Sequence, residues 1–176
     1  GVACEDRLGA GGWTRETWDL FPRSKLVMLS LLAPSVVNAR FSRVAPDIRA
    51  HLSGRGMLAE APEITTGDHL AFKYLVCTDD SDRFFWMLMG NSVVFKQESS
   101  MQFFLMSSTF LPWEHYVPLR HDLSDLVERV LWARQNDEQV LAIAERGRAM
   151  AREALSYPRV LQYLHQILKE ASALTR

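Results

Sequence analysis

The middle of the chain alternates apolar runs with polar clusters in the order typical of a strand, a helix and a second strand. Residues 70–77 are rich in aromatic and branched side chains and predict a buried strand. Residues 84–89 predict a short helix, which Gly90 and Asn91 would end in a left-handed conformation. Residues 92–95 predict the second strand. Two parallel strands joined by such a helix have their carboxyl ends at one edge of a sheet.

The polar clusters that follow these two strands predict a ligand site at that edge. They comprise residues 78–82 and 96–100. A helix beginning near Ser81 or Asp82 would offer free backbone N–H groups to an anion, and Arg83 would add a fixed positive charge. Alternatively, Arg83 pairs with a neighbouring aspartate on a solvated rim. The local pattern leaves both interpretations open.

Composition limits the class of protein. The 176 residues are 48% hydrophobic, which suffices for the core of one domain. Lys and Arg number 20 against 21 Asp and Glu, so no general positive field favours nucleic acid or anionic lipid. No apolar run approaches the roughly 20 residues that span a bilayer, and the N-terminus shows no signal-peptide pattern. We expect a soluble chain with no nucleic-acid partner and no membrane span.

No metal or disulfide motif is present in the sequence. Cys4 and Cys77 are the only cysteines, too few for a disulfide framework or a four-thiolate zinc site. His51 and His69 lack ligand spacing, so we expect them to be solvated or hydrogen-bonded.

The other segments predict helices, further strands and a surface excursion. Asp122 and Asn136 are expected to be N-caps, and residues 43–66 are interpreted as an excursion over the surface. Glu114 and His115 are an acid–base pair by type, but strand neighbours face opposite ways, which argues against a catalytic dyad. Helices are predicted at 23–32, 47–52, 122–134, 137–155 and from 158 onward, and strands at 36–41 and 115–117.

Apolar side chains recur at helical spacing in these predicted helices. We expect those of the first helix and of the 137–155 helix to face the core. The residues are Leu26, Val27, Leu29 and Leu31 in the first helix, Val140, Ile143, Ala144, Gly147 and Ala151 in the 137–155 helix, and Leu161, Leu164, Ile167 and Leu168 along the last helix.

The irregular first 12 residues contain a glycine-rich segment with a cation, Arg7. Its Gly11 and Gly12 would allow the backbone to approach a ligand closely. A flexible chain end is the alternative interpretation.

Several blocks in this order resemble glycosyltransferase family 90, which includes protein O-glucosyltransferases, capsule-associated xylosyltransferases and bacterial lipopolysaccharide-modifying proteins. The similarity runs from about Gly11 to the end of the chain. The blocks that carry it are Gly11-Gly12, Trp18, Phe21-Pro22-Arg23, Lys73-Tyr74-Leu75, residues 90–99, residues 112–119, residues 122–126 and Ala144-Glu145-Arg146-Gly147.

The resemblance implies an inverting GT-B enzyme, in which two Rossmann-like domains face each other. This chain would be the C-terminal, donor-binding half: one α/β domain over residues 1–176, with a mostly parallel sheet, helices on both faces and a helical section at 122–176. The implied partners are a UDP-sugar of the UDP-glucose or UDP-xylose type and a hydroxyl acceptor on a protein or glycan. No metal and no cofactor are expected.

The resemblance also implies a donor site. Arg83 matches the family arginine that would contact the diphosphate, and Glu98 lies where a carboxylate could accept hydrogen bonds from the ribose. Arg7 is a looser candidate for a second phosphate contact. The full set of donor-site candidates is Arg7, Gly11, Gly12, Ser81, Asp82, Arg83, Lys96, Gln97, Glu98 and Ser99.

Two departures from the family pattern affect this expectation. The loop at 77–82 is shorter than usual and carries three aspartates, which would repel a diphosphate unless they point away or are neutralised. The N-terminal acceptor domain, with its catalytic base, has no counterpart in these residues. A noncatalytic nucleotide- or protein-binding module is therefore the alternative to a transferase. The family works in bacteria or in the secretory lumen (ER or Golgi), and residues 173–176 bear no lumenal retention signal.

Overall fold

The structure is a computed structural model that describes residues 21–78, 83–99 and 109–174. The described part forms two compact units. The first unit contains residues 21–69 and 119–135, and the second contains the described residues of 70–118 and 136–174.

The first unit is built mainly from helices. They are α1 (Pro22–Leu32), α2 (Pro46–Gly54), α3 (Thr66–Leu70), which ends at the boundary of the unit, and α5 (Leu126–Gln135). Proline occupies the first turn of α1 and α2, where no backbone N–H has to be donated. Ile48 and Leu52 of α2 form a small buried cluster against neighbouring apolar side chains. The predictions of helices at 23–32 and 47–52 are confirmed.

The predicted strand at 36–41 is wrong. The Ser30 hydroxyl donates to the Val37 carbonyl at 3.1 Å and accepts a hydrogen bond from the Ala39 N–H at 3.0 Å. These backbone groups are therefore bonded to a side chain instead of a neighbouring strand. Only an isolated parallel bridge between Phe41 and Glu60 has strand character in this segment.

The core face of α1 also differs from the prediction. Val27 is buried, but Leu31 is 41% exposed. The other buried side chains of α1 are the small residues Ser24 and Ser30.

Helix α5 begins at Leu126, later than the expected N-cap at Asp122. The Asp122 carboxylate accepts a hydrogen bond from the Ser124 N–H, and this bond holds the pKa of the carboxyl below its usual range. Leu123 has a φ of 60°, a left-handed conformation that cannot continue a helix. Asp122 therefore caps a turn, and Asp125 immediately precedes the helix.

The second unit contains a three-stranded sheet within the described residues. Its strands are β1 (Tyr74–Cys77), β2 (Val93–Gln97) and β3 (Val117–Leu119), in that order across the sheet. Leu119, the last residue of β3, falls in the first unit. Strands β1 and β2 are parallel, with Tyr74 opposite Val93 and Cys77 opposite Lys96. Helix α4 (Arg83–Met89) connects them. The predicted strand–helix–parallel strand unit and the α/β fold class are confirmed.

Strand boundaries differ from the sequence prediction at three places. The first strand begins at Tyr74 instead of residue 70, because residues up to Leu70 belong to α3. The second strand extends to Gln97, so two residues assigned to a polar loop lie inside the sheet. The third strand begins at Val117. Burial accounts for the longer β2, since all five of its residues are buried.

Two long helices complete the second unit, α6 (Asp137–Ala154) and α7 (Tyr157–Leu174). All five predicted inward positions of α6 are buried, which confirms its orientation. Asn136 occupies the N-cap position of α6, although its side chain makes no capping hydrogen bond. The apolar residues along α7 lie at the surface: Leu161, Leu164, Ile167 and Leu168 are between 42% and 69% exposed.

The core of the second unit surrounds Phe84, at the beginning of α4. Its ring makes edge contacts with Phe110 and Tyr116 at centroid distances of 5.5 and 5.4 Å. Gly90 does not adopt the left-handed conformation predicted for it. A Cβ at Gly90 would lie 2.6 Å from Leu70 Cδ2, the end of a flexible side chain that would have to move aside.

None of the helices in the described ranges combines the length and apolar character needed to cross a bilayer.

Candidate functional site

The chain path places two of the predicted site residues, Arg83 and Glu98, at one edge of the sheet. Because β1 and β2 are parallel, with Cys77 opposite Lys96, both strands end at the same edge. Helix α4 starts after β1, and three residues separate its end from β2, so it returns the chain to the opposite edge. Arg83, the first residue of α4, and Glu98, which directly follows β2, therefore lie at the carboxyl ends of the strands.

The amino ends of the same strands are occupied by structural contacts. Lys73 forms an ion pair with Asp137, a hydrogen bond that raises the pKa of the lysine. The Ser92 hydroxyl donates to the Phe72 carbonyl at 2.7 Å. These contacts attach β1 to α6 and to the residue before β2. The carboxyl edge is thus the better candidate for binding a ligand.

Arg83 stands at the beginning of α4 with a half-buried side chain. The two residues expected to begin this helix, Ser81 and Asp82, lie outside the described residues, as do Arg7, Gly11 and Gly12. Arg83 is therefore the one predicted phosphate ligand whose position the structure describes.

Lys96 and Gln97 are both buried in this structure. They lie inside β2 with exposures of 6% and 2%, because the strand runs two residues further than its sequence pattern suggested. The Lys96 ammonium is 5.7 Å from the centre of the Phe84 ring and donates to the Gln97 carbonyl at 3.2 Å. Lys96 thus contacts the residue that follows Arg83.

Glu98 and Ser99 are the first residues beyond β2, and both retain access to solvent. Glu98 is exposed and Ser99 is half-buried. The predicted residues that the structure leaves accessible at the strand ends are therefore Arg83, Glu98 and Ser99. A guanidinium, a carboxylate and a hydroxyl can together recognise phosphate oxygens and sugar hydroxyls.

Glu114 and His115 lie in a turn before β3, so the strand argument against their contact does not apply. Their closest side-chain atoms, His115 Nε2 and Glu114 Oε1, are 3.9 Å apart. His115 is buried, and its Nδ1 accepts a hydrogen bond from the Leu111 N–H at 2.9 Å. Because Nδ1 is the acceptor, the neutral ring carries its hydrogen on Nε2. This geometry gives His115 a structural role in closing the turn.

Burial lowers the pKa of His115 below its usual value of 6.5, and the charge of Arg146 lowers it further, against the opposing attraction of Glu114. The unfolded chain therefore binds the proton first as the pH falls. Stability should be retained above about pH 6.5 and lost as the pH falls from there toward the folded-state pKa, at up to about 1.4 kcal/mol per pH unit.

This pH dependence can be measured by urea unfolding between pH 7.5 and pH 5. His115→Asn supplies an amide oxygen as the acceptor and should flatten the profile, whereas His165→Gln, at an exposed position of α7, should leave it unchanged. A wild-type slope in His115→Asn would contradict the assignment.

No group of three or more His, Cys, Asp or Glu side chains in the described segments is arranged to hold a metal ion. Metal independence of the reaction remains a prediction from the family resemblance.

Sequence reasoning missed two features of this unit. The first is the Lys96–Phe84 contact, for which the signal was an aromatic residue directly after the candidate arginine. The second is the packing of Gly147 against the turn: a Cβ at this position would lie 2.3 Å from the His115 carbonyl oxygen. A glycine inside a long helix was the available signal, because helix interiors disfavour glycine.

A family model and the sequences of known proteins both relate this chain to glycosyltransferases. Residues 10–176 match the family model described as Glycosyl transferase family 90. Human Protein O-glucosyltransferase 3 is 39% identical over 107 residues, which are 58% of this chain and 21% of that protein. Human Protein O-glucosyltransferase 1 is 30% identical over 156 residues, covering 85% of this chain and 38% of that protein.

Protein O-glucosyltransferase 2 of Danio rerio is 36% identical over 110 residues, or 61% of this chain and 22% of that protein. The matches to these three relatives cover 21% to 38% of their lengths. The family model, by contrast, covers nearly all of this chain. The chain belongs to glycosyl transferase family 90.

Proposed function

We propose that this chain binds the UDP-sugar donor of an inverting glycosyltransferase. The observation that carries the proposal is the placement of Arg83 and Glu98 at the carboxyl ends of adjacent parallel strands, in a chain that belongs to family 90. Open α/β sheets bind nucleotides at this edge. The names of the relatives further support glucose as the sugar and a protein hydroxyl as the acceptor.

The proposed reaction is a single displacement at the anomeric carbon. The acceptor oxygen forms a bond to that carbon as its bond to the diphosphate oxygen breaks, and UDP leaves with the bonding electron pair. The acceptor proton passes to a general base, which we assign to the part of the relatives that the similarity does not cover. Residues 1–176 then supply donor binding and no catalytic base.

Arg83 would stabilise the departing UDP. Negative charge develops on the diphosphate as the bond breaks, and a guanidinium can donate two parallel hydrogen bonds to phosphate oxygens. Glu98 would accept hydrogen bonds from the ribose hydroxyls, with Ser99 beside it. We further propose that side chains, and not a metal ion, balance the negative charge of the diphosphate.

Calorimetric titration of the purified chain with UDP, UMP and ADP tests the donor assignment. UDP should bind most tightly, UMP more weakly because it lacks the second phosphate, and ADP least because its base differs. Equal binding of UDP and ADP would contradict a uridine-specific site. Equal binding of UDP and UMP would contradict the diphosphate contact.

A noncatalytic binding module is the second candidate. The burial of Lys96 and Gln97 favours it, because two of the polar groups predicted to contact the donor do not reach solvent. In its protein-binding form, this candidate predicts that the chain, shown to be folded by circular dichroism, binds no UDP at millimolar concentration. Selective UDP binding would contradict that form and leave a nucleotide-binding domain.

A further inference from the structure

Lys96 is a buried cation whose contacts lead to the candidate donor site. It is 6% exposed within β2, and its ammonium lies over the ring of Phe84 at 5.7 Å from the centroid. The same ammonium donates to the Gln97 carbonyl at 3.2 Å. A buried ammonium is costly unless negative groups compensate for the water it has lost. The ring face and the carbonyl oxygen are two groups that contribute to such compensation.

The Phe84 ring that Lys96 contacts is packed among other aromatic side chains. Phe84 is fully buried and makes edge contacts with Phe85, Phe110 and Tyr116 at centroid distances of 5.4 to 5.8 Å. Phe84 is also the second residue of α4, directly after Arg83. A contact that fixes the Phe84 ring therefore fixes the backbone from which the Arg83 side chain projects.

We propose that Lys96 is a positioning residue: its contact with Phe84 holds the first turn of α4, and so Arg83, in the orientation needed to meet the diphosphate of the donor. The proposal rests on the donor-binding function proposed above. It assigns Lys96 an indirect role, in place of the direct donor contact expected from the sequence. Its burial is the reason, since Lys96 is only 6% exposed and its ammonium lies over the Phe84 ring.

The direct and indirect roles predict different couplings between Lys96 and Arg83. If Lys96 acts through Arg83, removing its charge should cost nothing once Arg83 is absent. If Lys96 binds the diphosphate itself, the two losses should add. A purely structural role should weaken the binding of every ligand and reduce stability without regard to the diphosphate.

The experiment is a double-mutant cycle with Lys96→Met and Arg83→Ala in the full chain, titrated with UDP and with uridine. Methionine keeps the unbranched stem and removes the charge. We expect Lys96→Met to weaken UDP binding by about tenfold, or about 1.4 kcal/mol, and to leave uridine binding within about twofold. In the Arg83→Ala background the same change should alter UDP affinity by less than about twofold. Lys96→Arg keeps a cation that can stack on the ring and should retain most of the affinity.

Hydrogen exchange gives a second readout that needs no ligand. The amides of residues 87–89 bond to carbonyls of the first turn of α4, so they should exchange faster in Lys96→Met than in the wild type or Lys96→Arg. Amides in the middle of α6 should be unchanged. Unchanged exchange in α4 would overturn the positioning role, whether or not UDP binds.

The outcomes separate this inference from the proposed function. If Arg83→Ala leaves UDP affinity unchanged, the donor-site assignment fails, and the role of Lys96 toward the diphosphate fails with it. If Arg83→Ala weakens binding but the Lys96→Met loss is additive, or uridine binding falls equally, only the positioning role is overturned.

Discussion

Replacing Arg83 with alanine is expected to weaken UDP binding by about 10- to 100-fold. Hydrogen bonds to charged groups contribute about 1.5–3 kcal/mol, and Arg83 is the predicted phosphate ligand that the structure places at the strand ends. The loss should be much smaller for uridine, which has no phosphate. Isothermal titration with both ligands measures the difference.

Arg83→Lys refines the same prediction. Lysine keeps the charge but cannot form the paired, planar hydrogen bonds of a guanidinium, so its UDP affinity should fall between those of the wild type and the alanine variant. Arg152→Ala removes an exposed arginine of α6 and serves as the matched control. A fall in UDP affinity of equal size in Arg152→Ala would mean that net charge, and not a specific contact, governs binding.

Gly147→Ala is expected to be the most destabilising single-methyl addition that the structure suggests. The new Cβ would lie 2.3 Å from the His115 carbonyl oxygen and 3.0 Å from Leu88 Cδ2. The carbonyl belongs to the backbone of the turn before β3, so the clash cannot be relieved by a side-chain rotation alone. Overpacking costs about 1–3 kcal/mol, and the better helix propensity of alanine returns only about 0.5–1 kcal/mol. We expect a net loss of stability.

Urea unfolding followed by far-ultraviolet circular dichroism would measure this loss. Gly54→Ala is the control, because Gly54 is also a helical residue, at the end of α2, but a Cβ there meets nothing within 4 Å. It should be neutral or slightly stabilising. A Gly147→Ala protein as stable as Gly54→Ala would contradict the close approach of α6 to the turn.

The candidate site was only partly predictable from the sequence. The parallel strand pair and the position of Arg83 after the first strand followed from local patterns, since apolar runs and polar clusters are visible in the amino-acid sequence. The accessibility of Lys96 did not, because lysine is polar in any local pattern. Its burial depends on covering both faces of β2, which residues distant in sequence provide.

Turns caused the other differences between the sequence prediction and the structure. Asp122 has the side chain of a helix cap, and the structure uses it to cap a turn that the left-handed Leu123 separates from the helix. The sequence predicts a strand at His115, and the structure has a turn there, which the hydrogen bond from the Leu111 N–H to the His115 ring stabilises. Both residues can satisfy backbone donors in more than one conformation, so their local preferences do not choose between a turn and a regular element.

The sequence by itself determined the α/β class, the parallel pairing of β1 with β2, the orientation of α6 and the family, because periodic burial patterns and ordered motifs are local properties of the chain. Only the tertiary structure decided which polar residues remain accessible at the strand ends. It buried Lys96 against Phe84 and left Glu98 exposed, although the two are separated by a single residue. The physical reason is that solvent exposure depends on the elements packed around a residue, and these come from distant parts of the chain.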